Sequence, residues 1–175
     1  MPDTSAGSDD LLTERLLLRR LRETDLHALA AIYADPQATR FLGGPRTRED
    51  TRRRLGGMIA DHREQGFGLW ATTLLEDGTL IGRCGLLVQH VEGSVEHEIA
   101  YLLGSRWWGR DYATEAAAAI RDHARAELGL GRLISLIDPG NAPSQAVATR
   151  IGMTHERDLV FEGRPTMLFS CNNGV

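Results

Sequence analysis

The sequence predicts a single domain of mixed α/β class. The chain has 175 residues, a length that fits one domain and allows a sizeable buried core. Short apolar runs bounded by turn residues alternate with segments in which apolar residues recur at helical spacing, a pattern typical of helices packed on a sheet. Neither an internal repeat nor a linker divides residues 11–175, which therefore predict one domain.

The first part of this domain predicts one strand followed by two helices. Residues 16–21 form an apolar run of strand type, and Thr24 is expected to cap a helix that ends near Asp35-Pro36. Thr47, with Asp50 three residues later, predicts the start of a second helix that runs to about residue 65.

A β-hairpin is predicted next. Two strand-like runs, 68–75 and 80–91, flank the turn residues Glu76-Asp77-Gly78. Gly82 and Gly85 lie inside the second run, where glycine indicates a bulge or a close approach of another backbone.

The remaining elements alternate between strand and helix. Residues 95–103 predict a strand and residues 112–128 a helix, whose small apolar side chains would let it lie close to a sheet. Residues 133–137 predict a buried strand, residues 144–151 a short helix, and two strands close the chain.

The connection between residues 103 and 112 has the character of a phosphate site. A loop that leads from a strand into a helix presents unpaired backbone N–H groups and the positive end of the helix dipole. Arg106 and Arg110 add charged donors there. The sequence contains neither a Walker A string nor a dinucleotide fingerprint after a predicted strand. An ordinary strand–helix connection is the alternative interpretation.

The string Arg106-Trp-Trp-Gly-Arg-Asp111 resembles the pyrophosphate loop of the GNAT superfamily of acetyl-CoA-dependent N-acetyltransferases. Trp108-Gly-Arg-Asp-Tyr-Ala-Thr-Glu-Ala116 is similar to the branch that includes the ribosomal-protein N-terminal acetyltransferases. Asn141-Ala-Pro-Ser144, followed by Arg150-Ile-Gly-Met153, and the segment 12–25 also resemble that branch, so the resemblance covers about residues 12–170.

Asp111 departs from the family pattern, which usually has Gly or Ala at this position. A carboxylate beside a pyrophosphate is repelled, at a cost of roughly 1 kcal/mol when well solvated. We expect the Asp111 side chain to cap the following helix instead.

The resemblance implies a mostly antiparallel central sheet with one splayed parallel strand pair and helices on both faces. It implies transfer of an acetyl group from acetyl-CoA to a primary amine, either a protein N-terminus or a small molecule, by direct attack. An acyl-CoA-binding sensor or scaffold, or an acyltransferase that uses another donor such as succinyl-CoA, is the alternative.

Carried over by position, the family's cofactor contacts fall on a strand end, a loop and an asparagine. Leu102 and Leu103 would face the pantetheine arm, with an N–H near Leu102 polarising the thioester carbonyl, and Asn141 would bond the same arm. Asn141 can alternatively complete a turn and cap the next helix. The residues implied at the pyrophosphate are Arg106, Trp107, Trp108, Gly109, Arg110, Asp111 and Tyr112.

Two residues are candidates for catalysis. Glu98 lies where related proteins carry a carboxylate near the acceptor amine, and partial burial would raise its pKa toward neutrality, as a general base requires. A solvated or cross-strand-paired carboxylate is an equally good interpretation of Glu98. Many relatives have a tyrosine as the acid for the thiolate where this chain has Ala148. Ser144 is the nearest hydroxyl in the motif, although serine at a helix start is more often structural.

Composition bears on partners and compartment. The net charge of −4 gives no electrostatic reason to expect nucleic acid, and no apolar run is long enough to cross a bilayer. Only Cys84 and Cys171 occur, which supports neither a disulfide framework nor a metal cluster.

Residues 1–10 are polar and acidic, which predicts a disordered tail rather than a signal peptide. A cytoplasmic location is the default expectation, and a homodimer is possible because dimers are common among relatives.

Overall fold

The computed structural model describes residues 9–172 as one eight-stranded sheet with helices on both faces. The strands are β1 (Leu11–Leu12), β2 (Leu16–Arg20), β3 (Leu69–Leu74), β4 (Leu80–Val91), β5 (Ser94–Leu103), β6 (Arg132–Ile137), β7 (Thr154–Phe161) and β8 (Arg164–Asn172). The helices are α1 (Leu26–Ala34), α2 (Arg48–Gln65), α3 (Tyr112–Ala126) and α4 (Ala142–Arg150). Short 3₁₀ turns cover Glu23–Asp25 and Ser105–Trp107.

The strand order is β1-β2-β3-β4-β5-β6-β8-β7, and every neighbouring pair is antiparallel except β5 and β6. One apolar cluster lies under α1 and α2, and a larger one lies under α3 and α4 on the opposite face. Small side chains let α3 lie close to the sheet, since Ala116, Ala117 and Ala124 are fully buried. The predicted fold class is therefore confirmed.

The two helix starts expected from the sequence have different outcomes. Thr47 caps α2 as predicted, because its hydroxyl accepts a hydrogen bond from the Asp50 amide at 3.1 Å. The predicted cap at Thr24 is wrong. Asp25 organises that turn by accepting from the Arg22 amide at 2.8 Å and from the Arg19 guanidinium at 2.7 and 2.9 Å. A carboxylate paired with arginine holds the chain more firmly than a threonine hydroxyl.

The predicted tail falls mainly on residues 1–8, which lie outside the described residues. Asp9 is described: its carboxylate pairs with Arg20, and its carbonyl accepts from the Trp70 indole at 3.2 Å. No helix within residues 9–172 is long and apolar enough to span a bilayer.

Gly82 and Gly85 mark close backbone approaches on both sides of β4, as their positions predicted. A Cβ on Gly82 would lie 2.8 Å from the Cα of Leu103 and closer still to the Leu102 carbonyl oxygen. A Cβ on Gly85 would meet the Cα of Leu69 at 2.7 Å. The register shift between Thr72 and Thr73 leaves Ile81 of β4 without a partner, so the bulge lies on β4 next to Gly82, also as predicted. Gly82 lets β4 approach β5 closely beside the site described next, whereas Gly85 lets β4 approach β3.

Candidate active site

The parallel strands β5 and β6 meet at one point and then separate. Glu98 and Ile134 are the only pair of residues in register between them. At the next residue of each strand, a side chain makes the contact between β5 and β6. The Ser135 hydroxyl donates to the Ile99 carbonyl at 2.9 Å. Beyond it, the ends of the two strands form a fork with unpaired inner edges.

The direction of the β5 backbone corrects the expectation for Leu102. Its carbonyl oxygen points at Gly82 of β4, so the Leu102 backbone faces away from the fork. Ile99 faces β6, and backbone direction alternates along a strand, so Tyr101 and Leu103 present their amides to the opening. The Leu103 carbonyl accepts from the Trp108 indole at 3.1 Å. The polarising N–H expected near Leu102 would therefore come from one of these two neighbouring amides, and it stays a prediction.

The N-terminus of α3 lies at the end of this fork and supplies free amides. The first bond at this end of α3 runs from the Glu115 amide to the Asp111 carbonyl at 3.0 Å, so the amides of residues 112–114 have no partner within the helix. Gly109 and Asp111 both have positive φ, 74° and 60°. This tight turn brings the loop back onto the helix axis, where the dipole favours an anion.

Two guanidinium groups flank this loop. Those of Arg106 and Arg110 lie 4.8 and 5.4 Å from the ring centre of Trp107, which packs partly against the core. Neither arginine has a carboxylate within 4.0 Å among the residues described. The indole thus holds two exposed positive charges beside the free amides of α3, an arrangement suited to a pyrophosphate.

The hydrogen-bonded support behind the loop was not predicted from the sequence. Arg15 donates to the Arg110 carbonyl at 3.0 Å and forms an ion pair with Glu115 at 2.7 Å. The Glu115 carboxylate also accepts from the Thr13 hydroxyl at 2.6 Å. Burial opposes the charge of Glu115, but these hydrogen bonds outweigh it and lower its pKa. About 100 residues separate the partners, so no local sequence signal reveals this network.

Asp111 does not cap α3 through its side chain, which corrects the expectation from the sequence. Its backbone is left-handed, and its carboxylate pairs at 3.2 Å with Arg150 of α4. The conformation explains why glycine suits this position, since only Gly, Asn and Asp adopt it readily. Both charged groups are exposed, so the ion pair stabilises the fold little.

Replacing Asp111 by Asn is expected to tighten coenzyme A binding about fivefold at low salt. The substitution removes a negative charge beside the phosphate site, worth roughly 1 kcal/mol, and keeps a residue that tolerates left-handed backbone. Calorimetric titration at two salt concentrations measures the effect, which screening should reduce at high salt. An equal gain at both concentrations would contradict the electrostatic explanation.

The start of α4 faces the same opening. Asn141 caps α4, because its Oδ1 accepts from the Ser144 amide at 3.2 Å, and this leaves its Nδ2 as a donor. The Tyr101 hydroxyl donates to the Ser144 carbonyl at 2.9 Å. Burial raises the pKa of Tyr101, so this hydroxyl keeps its proton. The structure therefore brings Asn141, Ser144 and a tyrosine from β5 together on the α3–α4 face of the sheet.

Glu98 lies on the opposite face, at the base of the fork. Only 8% of its surface is exposed. Gln89 of β4 donates to its Oε2 at 2.6 Å, and the Leu136 amide of β6 approaches its Oε1 at 3.4 Å. Glu96, by contrast, pairs with Arg132 at 3.1 Å. Glu98 is thus buried and paired across strands with the neutral Gln89, and the ion pair on this face belongs to Glu96.

The pKa of Glu98 is raised, chiefly by burial. Its hydrogen bonds with Gln89 and Leu136 and the charge of Arg83 oppose that rise, whereas Glu162 adds to it. Arg83 lies on the same face and is 8% exposed. Its Nε donates to the Tyr33 hydroxyl at 2.9 Å, and its buried Nη1 has no partner. This face therefore holds a buried acid and a buried cation.

No group of three or more His, Cys, Asp or Glu in residues 9–172 is placed to hold a metal ion. The two free cysteines are both buried, and burial raises the pKa of Cys84 to about 12. A thiol with that pKa is protonated at neutral pH and is a poor nucleophile.

Residues 15–154 match the family model described as Acetyltransferase (GNAT) domain. The chain belongs to the GNAT acetyltransferase family. It is 31% identical over 160 residues to the Bacillus subtilis protein YkkB, covering 91% of this chain and 93% of that protein. The solved structure of the acetyltransferase from Agrobacterium tumefaciens is 32% identical, with a TM-score of 0.83, and the alignment covers 95% of this chain and 96% of that one.

The fold is also similar to that of Mycobacterium smegmatis RimJ, solved in complex with a CoA disulfide. That similarity has a TM-score of 0.72 at 23% identity and covers 90% of this GNAT chain and 81% of RimJ. Acetyl transfer to amines from acetyl-CoA is the general reaction of this family.

Proposed function

We propose that this GNAT protein transfers an acetyl group from acetyl-CoA to a primary amine by direct attack in a ternary complex, with Glu98 as the general base. The observation that carries the proposal is the position of Glu98, a buried carboxylate at the point where β5 and β6 part. A carboxylate with a raised pKa at this place can accept a proton from an amine.

The residues around the fork fit acetyl-CoA. The α3 amides, Arg106 and Arg110 suit its pyrophosphate, and the open edge of β5 together with Nδ2 of Asn141 suits its amide-rich arm. The Tyr101 and Leu103 amides are the donors available to a thioester carbonyl. The cofactor residues lie on the α3–α4 face and Glu98 on the other, so donor and acceptor would meet through the opening.

The proposed reaction balances without a covalent enzyme intermediate. The amine nitrogen attacks the thioester carbon, a C–N bond forms and the C–S bond breaks. The amine's proton passes to Glu98, directly or through water, and coenzyme A leaves as thiolate or thiol. Ser144 and Tyr101 are the hydroxyl groups nearest the start of α4, and Ser144 is our candidate to hydrogen-bond the leaving sulfur. A cytoplasmic location and a homodimer stay predictions.

Calorimetric titration with acetyl-CoA, coenzyme A and succinyl-CoA tests the proposal. We expect micromolar binding of acetyl-CoA, weakened at least tenfold, about 1.4 kcal/mol, by Arg106→Ala, because that change removes a charged donor to phosphate. Arg54→Ala, an exposed arginine on α2, is the matched control and should bind as the wild type does. Failure to bind any of the three ligands would refute the proposal. Tighter binding of succinyl-CoA would favour a different donor.

A further inference from the structure

The segment that joins α1 to α2, residues 35–47, lies across the Glu98 face at the open end of the fork. A Cβ on Gly140, in the turn between β6 and α4, would lie 3.5 Å from Cε1 of Phe41. The side chain of Arg164, at the start of β8, reaches Gly43, and Glu162 in the adjoining β7–β8 turn contributes to the electrostatic environment of Glu98. This segment therefore contacts both the β6–α4 turn and the Arg164 side chain, on the face of the sheet from which the acceptor would reach Glu98.

Two guanidinium groups converge at Gly43. A Cβ there would lie 3.2 Å from Nη2 of Arg46 and 3.4 Å from Nη2 of Arg164. Arg46 is fixed in place, because its amide donates to the Tyr33 carbonyl and its Nη2 donates to the Leu42 carbonyl, both at 2.8 Å. Gly43 has a φ of 86°, so glycine allows both the turn and the space for the two side chains.

This pair of positive charges has no counter-charge within the protein as described. Within residues 9–172, no carboxylate lies within 4.0 Å of either guanidinium. Arg83, on the Glu98 face of the sheet, is also cationic, is nine-tenths buried, and has an unpaired Nη1. Like charges brought together repel one another, and an anion binding between them would remove that cost.

We propose that Arg46 and Arg164 bind an anionic group of the acceptor, so that the preferred substrates are amines that also carry a carboxylate or a phosphate. This inference rests on the proposed function and specifies its substrate class. The pair is distinct from the cofactor site, because Arg106 and Arg110 flank Trp107 in the loop before α3, whereas Arg46 and Arg164 meet at Gly43.

Acetylation of matched acceptors measures this preference. β-Alanine and its amide test a small carboxylate, and phosphoethanolamine and ethanolamine test a phosphate. The amidated tripeptides Ala-Asp-Ala and Ala-Asn-Ala test an acidic side chain near a peptide N-terminus. We expect kcat/KM to favour the charged member of at least one pair about tenfold, through KM, since hydrogen bonds between charged groups have about that effect. The pair with the largest ratio identifies the source of the anion.

Substitutions then assign the preference to the arginine pair. Arg164→Gln should abolish the ratio, and Arg164→Glu should reverse it in favour of the uncharged member. Arg54→Gln, which removes a charge on α2, should leave the ratio unchanged. Calorimetric binding of acetyl-CoA should be the same in all of these variants. An equal preference in wild type and Arg164→Gln, or no preference in any pair, would overturn the inference while acetyl transfer itself stands.

Direct binding separates this inference from the proposed function. If no acceptor in the panel is acetylated although acetyl-CoA binds, the same pairs are titrated into the complex with coenzyme A. Tighter binding of the charged members, lost in Arg164→Gln, would support the anion site without the proposed chemistry. Equal affinities within every pair would refute the site.

Discussion

Glu98→Gln should lower kcat for acetyl transfer by about 10²–10⁴-fold, the range that general-base catalysis contributes. Glutamine keeps the shape of the side chain and can still accept a hydrogen bond from Gln89, so the fork should keep its structure. The ability to accept a proton is lost, together with the longer 3.4 Å contact from the Leu136 amide. Thiol release at saturating acetyl-CoA and acceptor measures the change, and calorimetry should show unaltered acetyl-CoA binding.

Glu96→Gln is the matched control for this prediction. Glu96 lies on the same strand and the same face, but it pairs with Arg132 on the neighbouring strand β6. Its replacement should change kcat by less than about twofold, because it is not placed to receive a proton at the fork. Equal losses in the two variants would indicate that negative charge on this face, rather than a base at position 98, supports the reaction. An unchanged rate in Glu98→Gln would refute the assignment of the base.

The raised pKa of Glu98 predicts two pH dependences. The base acts only when ionised, so kcat should rise with pH through a pKa above that of an ordinary glutamate, and this limb should be absent in Glu98→Gln. Stability should change in the opposite sense. A carboxyl whose pKa is raised by folding contributes stability at low pH that is lost as pH rises through the folded-state pKa. Glu98→Gln should therefore melt above the wild type at pH 8, with a smaller difference at pH 4.

Gly82→Ala should destabilise the fold by about 3 kcal/mol, the upper part of the range for overpacking a core. The added methyl group would overlap the backbone of Leu102 and Leu103, and backbone cannot rotate away as a flexible side chain can. Denaturant unfolding measures the loss. Because the displaced part of β5 borders the fork, acetyl-CoA affinity should fall as well, under conditions in which the variant remains folded.

Gly56→Ala is the control for a glycine that the structure does not require. Gly56 is exposed within α2, and an added Cβ would meet nothing within 4 Å. Alanine should raise the free energy of unfolding by about 1 kcal/mol there, because it favours helix over glycine by that amount. Similar effects of the two substitutions, in sign and size, would contradict the close approach at Gly82.

Most helices and strands were predictable because each depends on capping residues, glycines or apolar spacing within its own segment. The Thr47 cap, the β4 glycines and the small apolar face of α3 depend on residues close together in the chain or on their period. The geometry of the loop before α3 was predictable for the same reason. Backbone amides, a helix start and flanking arginines come from one continuous segment.

Other features of the site depend on long-range contacts and on backbone direction, so only the tertiary structure decided them. Thr13 and Arg15 support the loop through Glu115, about 100 residues away in the sequence. The Asp111 carboxylate pairs with Arg150 instead of capping its own helix. Backbone groups point alternately to the two sides of β5, and the point at which β5 meets β6 decides that those of Leu102 face β4. No local pattern shows the position of that contact. The sequence by itself determined the family, and it placed the loop for which we propose cofactor binding. Only the folded chain placed Glu98 at the fork and brought Arg46 beside Arg164, because both placements join residues that are distant in the sequence.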